Sequence, residues 1–327
     1  MNFHSAHIIN STIYHNMPNN PCFEVLIDDS LLNLLPGSNS DNSNFQNYLL
    51  NFINGFEDGS WRYELFTEFI WDNIKETALS AEERNKLINA EMTSLRRSAS
   101  NLRLTSDNDI GKGGEIAEIL LYGILKHHFN ALPVIPKIFY KQNANDPAKG
   151  ADSVHLMINR SNGDFSLWLG EAKFYNKIDN TRLGSIVDSV KNLLDSEKLR
   201  KENSLITGLQ ELDNLDLDEA LVINIKEQLS HGVSLDDIKK RLHVPILLLH
   251  ECELTQNHDQ MSNEYREAIK AYHIDRAKTY MEKQTDKLSE SIHGYEDITF
   301  HIIIFPVPNK NAIVESFTTM ANSLRTA

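Results

Sequence analysis

The chain has 327 residues, enough at roughly 150 residues per domain for two domains or one decorated domain. Apolar types make up 41%, charged residues 24% and aromatics 8%, the mixture of a globular protein with a sizeable core. Forty-six acids against 32 Lys and Arg give a net charge of −14, a field that by itself repels nucleic acid and anionic membranes. The longest apolar runs, 245–249 and 302–307, are strand-sized and far below the ~18–20 residues of a membrane-spanning helix. Met1-Asn2-Phe3-His4-Ser5 lacks the basic and apolar segments of a secretory signal. Cys22 and Cys252 are too few for a disulfide framework. Together these features predict a cytoplasmic protein with no membrane partner.

Residues 1–61 hold no Lys or Arg against six acids, Glu24, Asp28, Asp29, Asp41, Glu57 and Asp58. This is a solubilising surface or a face for a basic partner. A Ser/Asn-rich patch at 36–44 reads as linker. A helix carrying Trp61, Leu65, Phe69 and Ile70 follows, and a second opens at Ser80 with Glu83 as a capping box. A polar break at 105–109 sets the expected division into an accessory or docking region, 1–100, and a second domain, 101–327. Beyond it, Gly114–Phe129 reads as a helix buried through Ile116, Leu120, Ile124 and Leu125, and Val134–Tyr140 as extended. Ser153–Ile158 and Phe165–Phe174 read as strands joined across Ser161-Asn162-Gly163, a hairpin signal. A helical region over Leu183–Leu242, broken at Gly208 and Gly232, precedes a buried strand at Val244–His250. A long helix at Ser262–His293, a buried strand at Ile298–Val307 and a helix at Ala312–Leu324 close the order. Helices alternating with strands in this way predict an α/β fold with a central mixed sheet flanked by helices.

The chemistry concentrates in Gly150–Tyr175. Strand alternation puts Glu171, Lys173 and Tyr175 on one face and Trp168, Gly170, Ala172 and Phe174 on the other. An acid and a lysine on an otherwise buried strand are costly to desolvate unless paired or holding a cation. The hairpin folds the 19 residues between Asp152 and Glu171 in half, so the two carboxylates meet at one end of neighbouring strands. Two such carboxylates suit a hard cation, Mg²⁺ with Mn²⁺ as a substitute, which activates water and polarises a phosphoryl oxygen. Lys173 is then placed to orient that water or to neutralise developing charge. The preceding helix offers a third acid, Glu115 in preference to Glu118; the two share one helical face, and Glu118 is held in reserve. Tyr175 suits a supporting hydrogen bond at the site. Lys126, Lys137, Lys141 and Lys149 face only Asp146 in their interval, a local cation excess suited to a nucleic-acid backbone.

Gly-Glu on a helix, then Gly150-Ala151-Asp152, then a hairpin ending in Glu171-Ala172-Lys173, resembles the PD-(D/E)xK nuclease superfamily, with Gly-Ala where a proline often precedes the aspartate. More narrowly, Gly113–Tyr175, with Gly-Glu-Ile-Ala-Glu and Leu-Gly-Glu-Ala-Lys-Phe-Tyr, is similar to the HamA family of the Hachiman anti-phage system. The resemblance implies a restriction-endonuclease-like core and a metal-dependent DNase. It also implies a HamB-like helicase partner and release of the nuclease when infection damages DNA. A stand-alone restriction or repair endonuclease, or a silent subunit regulating a helicase, are the alternatives.

Other motifs carry less. Asp237-Ile238-Lys239 repeats the acid-x-Lys spacing in a charged helix with no strand around it, and reads as a solvated face. Gly111-Lys112-Gly113-Gly114 lacks the Ser or Thr and the upstream Gly of a phosphate loop. His250-Glu251-Cys252 has no second His at protease spacing.

Overall fold

The computed structural model describes residues 22–34, 47–104, 113–141, 150–159, 161–208, 211–215 and 217–326. The linker patch at 36–44, the polar break at 105–109, Lys112 and Lys149 lie outside them. In chain order, β1 (Glu24–Ser30) runs into one helical turn, α1 (Leu31–Leu34). Next, β2 (Asn47–Ile53) precedes a small hairpin of β3 (Phe56–Glu57) and β4 (Ser60–Trp61). Three helices follow, α2 (Tyr63–Ala78), α3 (Ala81–Lys86) and α4 (Glu91–Asn101). Helix α5 (Gly114–His127) leads to β5 (Leu132–Ile135), the single turn α6 (Lys137–Tyr140), and the hairpin of β6 (Ser153–Asn159) and β7 (Asp164–Tyr175). After α7 (Asn180–Leu193), α8 (Ser196–Gly208), α9 (Glu219–Gln228) and α10 (Leu235–Lys239) comes β8 (Leu242–Glu251). The chain continues through α11 (Glu253–Gln256), α12 (Asn263–Leu288), β9 (Thr299–Val307) and α13 (Lys310–Thr326).

Seven strands form one mixed sheet in the order β1-β2-β9-β8-β7-β6-β5. The four middle strands, β2, β9, β8 and β7, are parallel, and β1, β6 and β5 are antiparallel to their neighbours. Strands covered on both faces must be apolar on both, which explains the unbroken runs in β8 and β9. One face packs Ala172, Phe174, Leu247, Leu249, Ile303 and Phe305 against α2, α5 and α13. The other packs Leu169, Tyr175, Ile246, Leu248, Ile302 and Ile304 against α7, α8 and α12. This is the expected α/β class, compatible with a restriction-endonuclease-like core. The segment before residue 100 supplies β1 and β2 of the same sheet, and α2 packs closely on α5: a Cβ on Gly123 would lie 2.6 Å from the Phe69 ring.

Several boundaries depart from the sequence reading. Trp61 belongs to β4, not to the following helix, and its ring meets Phe66 at 5.4 Å. Val134–Tyr140 is not one extended run. Pro136 has no amide to offer the ladder, so β5 stops at Ile135, and the proline instead caps α6. Over its described residues the region 183–242 divides into four α-helices and a 3-10 turn at Leu212–Asn214, with Asp179, Asp218 and Ser234 capping the starts of α7, α9 and α10. Ser80 and Glu83 form the expected capping box. Lys239, expected on a solvated face, is buried, and its ammonium donates to the His293 carbonyl at 2.5 Å. Among the described residues, no helix is long and apolar enough to cross a membrane.

Candidate functional site

Strands β6 and β7 pair antiparallel from Asn159 opposite Asp164 to Ser153 opposite Gly170. Asp152, one residue before β6, is thereby set beside the end of β7. Its amide donates to the Gly170 carbonyl at 2.7 Å, and its Oδ2 accepts the Ala172 amide at 3.0 Å. Alternation along β7 then turns Glu171 and Lys173 to the α7/α12 face. The Lys173 ammonium donates to Glu171 and lies 3.7 Å from Asp152 Oδ2. Asp152, Glu171 and Lys173 therefore converge. Tyr175 follows on the same face, its ring buried with the Arg182 guanidinium 5.5 Å from its centroid.

The third acid at this point is Glu118. Its Oε1 accepts from Lys141 at 2.8 Å, and the same ammonium donates to Asp152 Oδ1 at 2.8 Å. Glu115, the preferred candidate from sequence, is occupied elsewhere: its two oxygens accept the Arg103 and Leu104 amides at 2.8 and 3.0 Å. A three-residue step along α5 is enough to turn one acid toward the sheet end and the other toward the chain after α4.

Behind Asp152 is a clamp that the sequence reading did not find. Glu202 of α8 accepts from Lys137 at 2.8 and 2.9 Å and from the Ala151 amide at 2.9 Å. Both side chains of the Lys137–Glu202 pair are only 2% exposed. A Cβ on Gly150 would stand 1.9 Å from Glu202 Oε1, so Gly150 is glycine because the carboxylate occupies that space. Likewise a Cβ on Gly170 would meet Ser153 Oγ at 2.5 Å and Leu121 at 2.7 Å, which fixes how closely α5 lies on the hairpin. Nothing in the local sequence around Glu202 distinguishes it from a surface acid of an amphipathic helix.

The expected lysine track is not assembled as an open cationic strip. Lys126 pairs with Glu76 at 2.7 Å, Lys137 is buried on Glu202, and Lys141 bridges Glu118 and Asp152. Each of these three cations is already matched by carboxylate.

Charges in this buried set shift one another. Burial pushes Asp152 upward, but Lys141, Lys173 and the Ala172 amide outweigh it and hold the carboxyl down at about 2. Burial and then the neighbouring Asp152 charge push Glu171 up to about 7 despite Lys173. Glu118 is likewise raised to about 7 by burial, against the pull of Lys141. For Lys173, burial lowers the ammonium's pKa, but Asp152 and Glu171 together raise it above its ordinary value. The result is an ionised aspartate, a firmly protonated lysine, and two glutamates near the point of ionisation.

Among the described residues, no three His, Cys, Asp or Glu side chains form a ready-made metal cage. The Lys141 ammonium stands between Glu118 and Asp152, and that of Lys173 between Asp152 and Glu171. The donor chemistry nonetheless fits a hard divalent cation, since every candidate ligand is a carboxylate oxygen and Mg²⁺ commonly takes only one or two carboxylates with waters. Glu118 Oε2 is buried without a hydrogen-bond partner among the described residues, a free acceptor of the kind a hard cation satisfies.

No curated protein matches this chain. The HamA family matches it over residues 23–321, a span that takes in the sheet from β1 to β9, the Asp152–Lys173 hairpin and most of α13. The chain therefore belongs to the HamA family of the Hachiman anti-phage defence system.

Proposed function

We propose that this chain is the DNA-cleaving subunit of its defence complex, a Mg²⁺-dependent nuclease that hydrolyses phosphodiester bonds with little sequence preference. The observation that carries this reading is the convergence of Asp152, Glu171 and Lys173 at one sheet end. Asp152 and Glu171 would hold the ion, with Glu118 as the acid contributed by α5. When bound, Mg²⁺ supplies a Lewis acid at a phosphoryl oxygen and a water of lowered pKa. The protein's own groups do the rest. The Ala172 amide on Oδ2 and the Asp152 amide on the Gly170 carbonyl fix Asp152 against β7 before substrate arrives. Lys173, kept protonated by two acids, offers a positive donor to charge growing on the phosphorus oxygens rather than accepting a proton.

The net charge of −14 works against unaided DNA binding. That supports delivery of the strand by a partner of the HamB-like helicase class, with ATP used by the partner. Plasmid degradation tests the reading. Activity is expected with Mg²⁺ or Mn²⁺, absent in EDTA, and reduced at least ~10²-fold by Glu171→Ala or Lys173→Ala. Cleavage unchanged in both variants would remove the nuclease assignment. Adding a HamB-like helicase, with ATP and damaged DNA, tests the delivery role.

A further inference from the structure

Lys137 opens the single turn α6 and Lys141 caps its end four residues on, so both reach the same side of it. Their fates differ. Lys137 is sealed on Glu202 with 2% exposure, whereas the Lys141 side chain remains 15% exposed and bridges Glu118 Oε1 and Asp152 Oδ1, at 2.8 Å each. Lys141 therefore has a route to solvent, on a flexible four-carbon stem. The oxygen beside it, Glu118 Oε2, is buried and unpartnered. Glu118 lines a small cavity together with Thr77, Tyr122, Lys137, Asp152 and Ser153. Ser153 Oγ is unpartnered there as well.

Charge counting points the same way. Glu118, Asp152 and Glu171 with Lys173 alone carry two net negative charges when ionised, which one divalent ion neutralises. With Lys141 also in place only one negative charge remains, and a divalent ion would leave an excess of positive charge in a buried site. Lys141 thus supplies half of what the ion would bring while leaving Glu118 Oε2 unsatisfied. Resting on the metal site of the preceding section, we infer that Lys141 is a resident cation that holds Glu118 and Asp152 together in the metal-free protein and withdraws from between them when a divalent ion binds. Occupancy of the site by metal is then coupled to release of this lysine toward solvent.

The test is metal binding by the full-length chain, followed by calorimetry with Mg²⁺ and by paramagnetic resonance with Mn²⁺, with no substrate present. Lys141→Met should bind either ion about tenfold or more tightly than wild type, because the competing charge is gone. Its melting temperature should gain more from added Mg²⁺ than wild type gains. Equal or weaker binding by the variant overturns the inference while leaving the metal site standing. Absence of binding to both proteins, with Asp152→Asn as the control, removes the site itself and the inference with it. A second measurement uses wild type only: amine labelling read by mass spectrometry. Lys141 should be protected without metal and labelled at saturating Mg²⁺, with Lys137 protected in both. Equal protection of Lys141 in the two states contradicts its withdrawal.

Discussion

Glu202 accepts the Ala151 amide at 2.9 Å across 51 residues of sequence. That contact ties the loop before Asp152 to a helix on the far side of the hairpin. With Lys137 on the same carboxylate, the site's first acid rests on a buried ion pair. Removing one partner of such a pair leaves an uncompensated charge.

Glu202→Ala should therefore lower stability by about 3–5 kcal/mol, measured by urea unfolding. Gly150→Ala keeps both charged residues but sets a methyl group 1.9 Å from Glu202 Oε1, so the carboxylate must shift off the Ala151 amide. It should keep the fold and lose most nuclease activity because Asp152 is displaced. Circular dichroism with plasmid degradation separates the two effects, and a fully active Gly150→Ala protein contradicts the clamp.

The two acids of α5 should separate cleanly by mutation. Glu115 bonds the Arg103 and Leu104 amides, so Glu115→Gln should cost only about 1 kcal/mol of stability and leave cleavage near wild type. Glu118 shares Lys141 with Asp152, so Glu118→Gln should cut cleavage at least ~10-fold. Parallel rate measurements decide it. The reverse ranking would return the role to Glu115.

Gly170→Ala tests the packing of α5 on the hairpin. The added methyl meets Ser153 Oγ and Leu121 at 2.5 and 2.7 Å, and such overpacking costs about 1–3 kcal/mol. Thermal melts should show the loss, whereas Gly163→Ala, with nothing within 4 Å of its Cβ but a φ of +70°, should lose stability through backbone strain alone.

Acid should destabilise the fold well above the carboxylate range. Burial holds His243 and His250 at about 4 and His155 at about 3, and keeps His273 and His301 well below their ordinary value. The unfolded chain therefore binds more protons than the folded one between pH 6.5 and about 4. The stability from these neutral imidazoles is complete above pH 6.5 and is lost as pH falls through that window. Each contributes about 1.4 kcal/mol per pH unit there. Glu118 and Glu171, raised to about 7, act in the opposite sense because the folded state holds their protons. Five histidines outweigh two glutamates, so the melting temperature should fall steadily from pH 6.5 to 5. A flat profile over that range would falsify the neutral-histidine assignment.

Much of the site was legible because it is local. The Asn162-Gly163 turn fixed the hairpin, the hairpin fixed the register, and period-two alternation placed Glu171 and Lys173 on one face and Ala172 and Phe174 on the other. What escaped the sequence depends on rotation or distance. Whether Glu115 or Glu118 faces Asp152 is a question of how α5 is rolled on the sheet, which Gly170 and Gly123 decide through close contacts. Glu202 and β2 meet the site and the sheet only through tertiary contacts. Of the lysines read as a backbone track, the three described ones, Lys126, Lys137 and Lys141, are each matched by an acid distant in sequence, Glu76, Glu202 or Glu118, and spacing along the chain shows none of those partners.

Strand β9 is the last to be synthesised, yet it lies between β2 and β8, with Asn47 opposite Phe300 and Glu251 opposite Val307. A nascent chain that has emerged only as far as β8 has the Asp152–Lys173 hairpin but a gap in the middle of the sheet. The hairpin gains its finished support only after translation has passed residue 307. The sheet that carries Asp152, Glu171 and Lys173 is thus closed by the last strand to emerge, so unfinished copies on the ribosome lack the completed site.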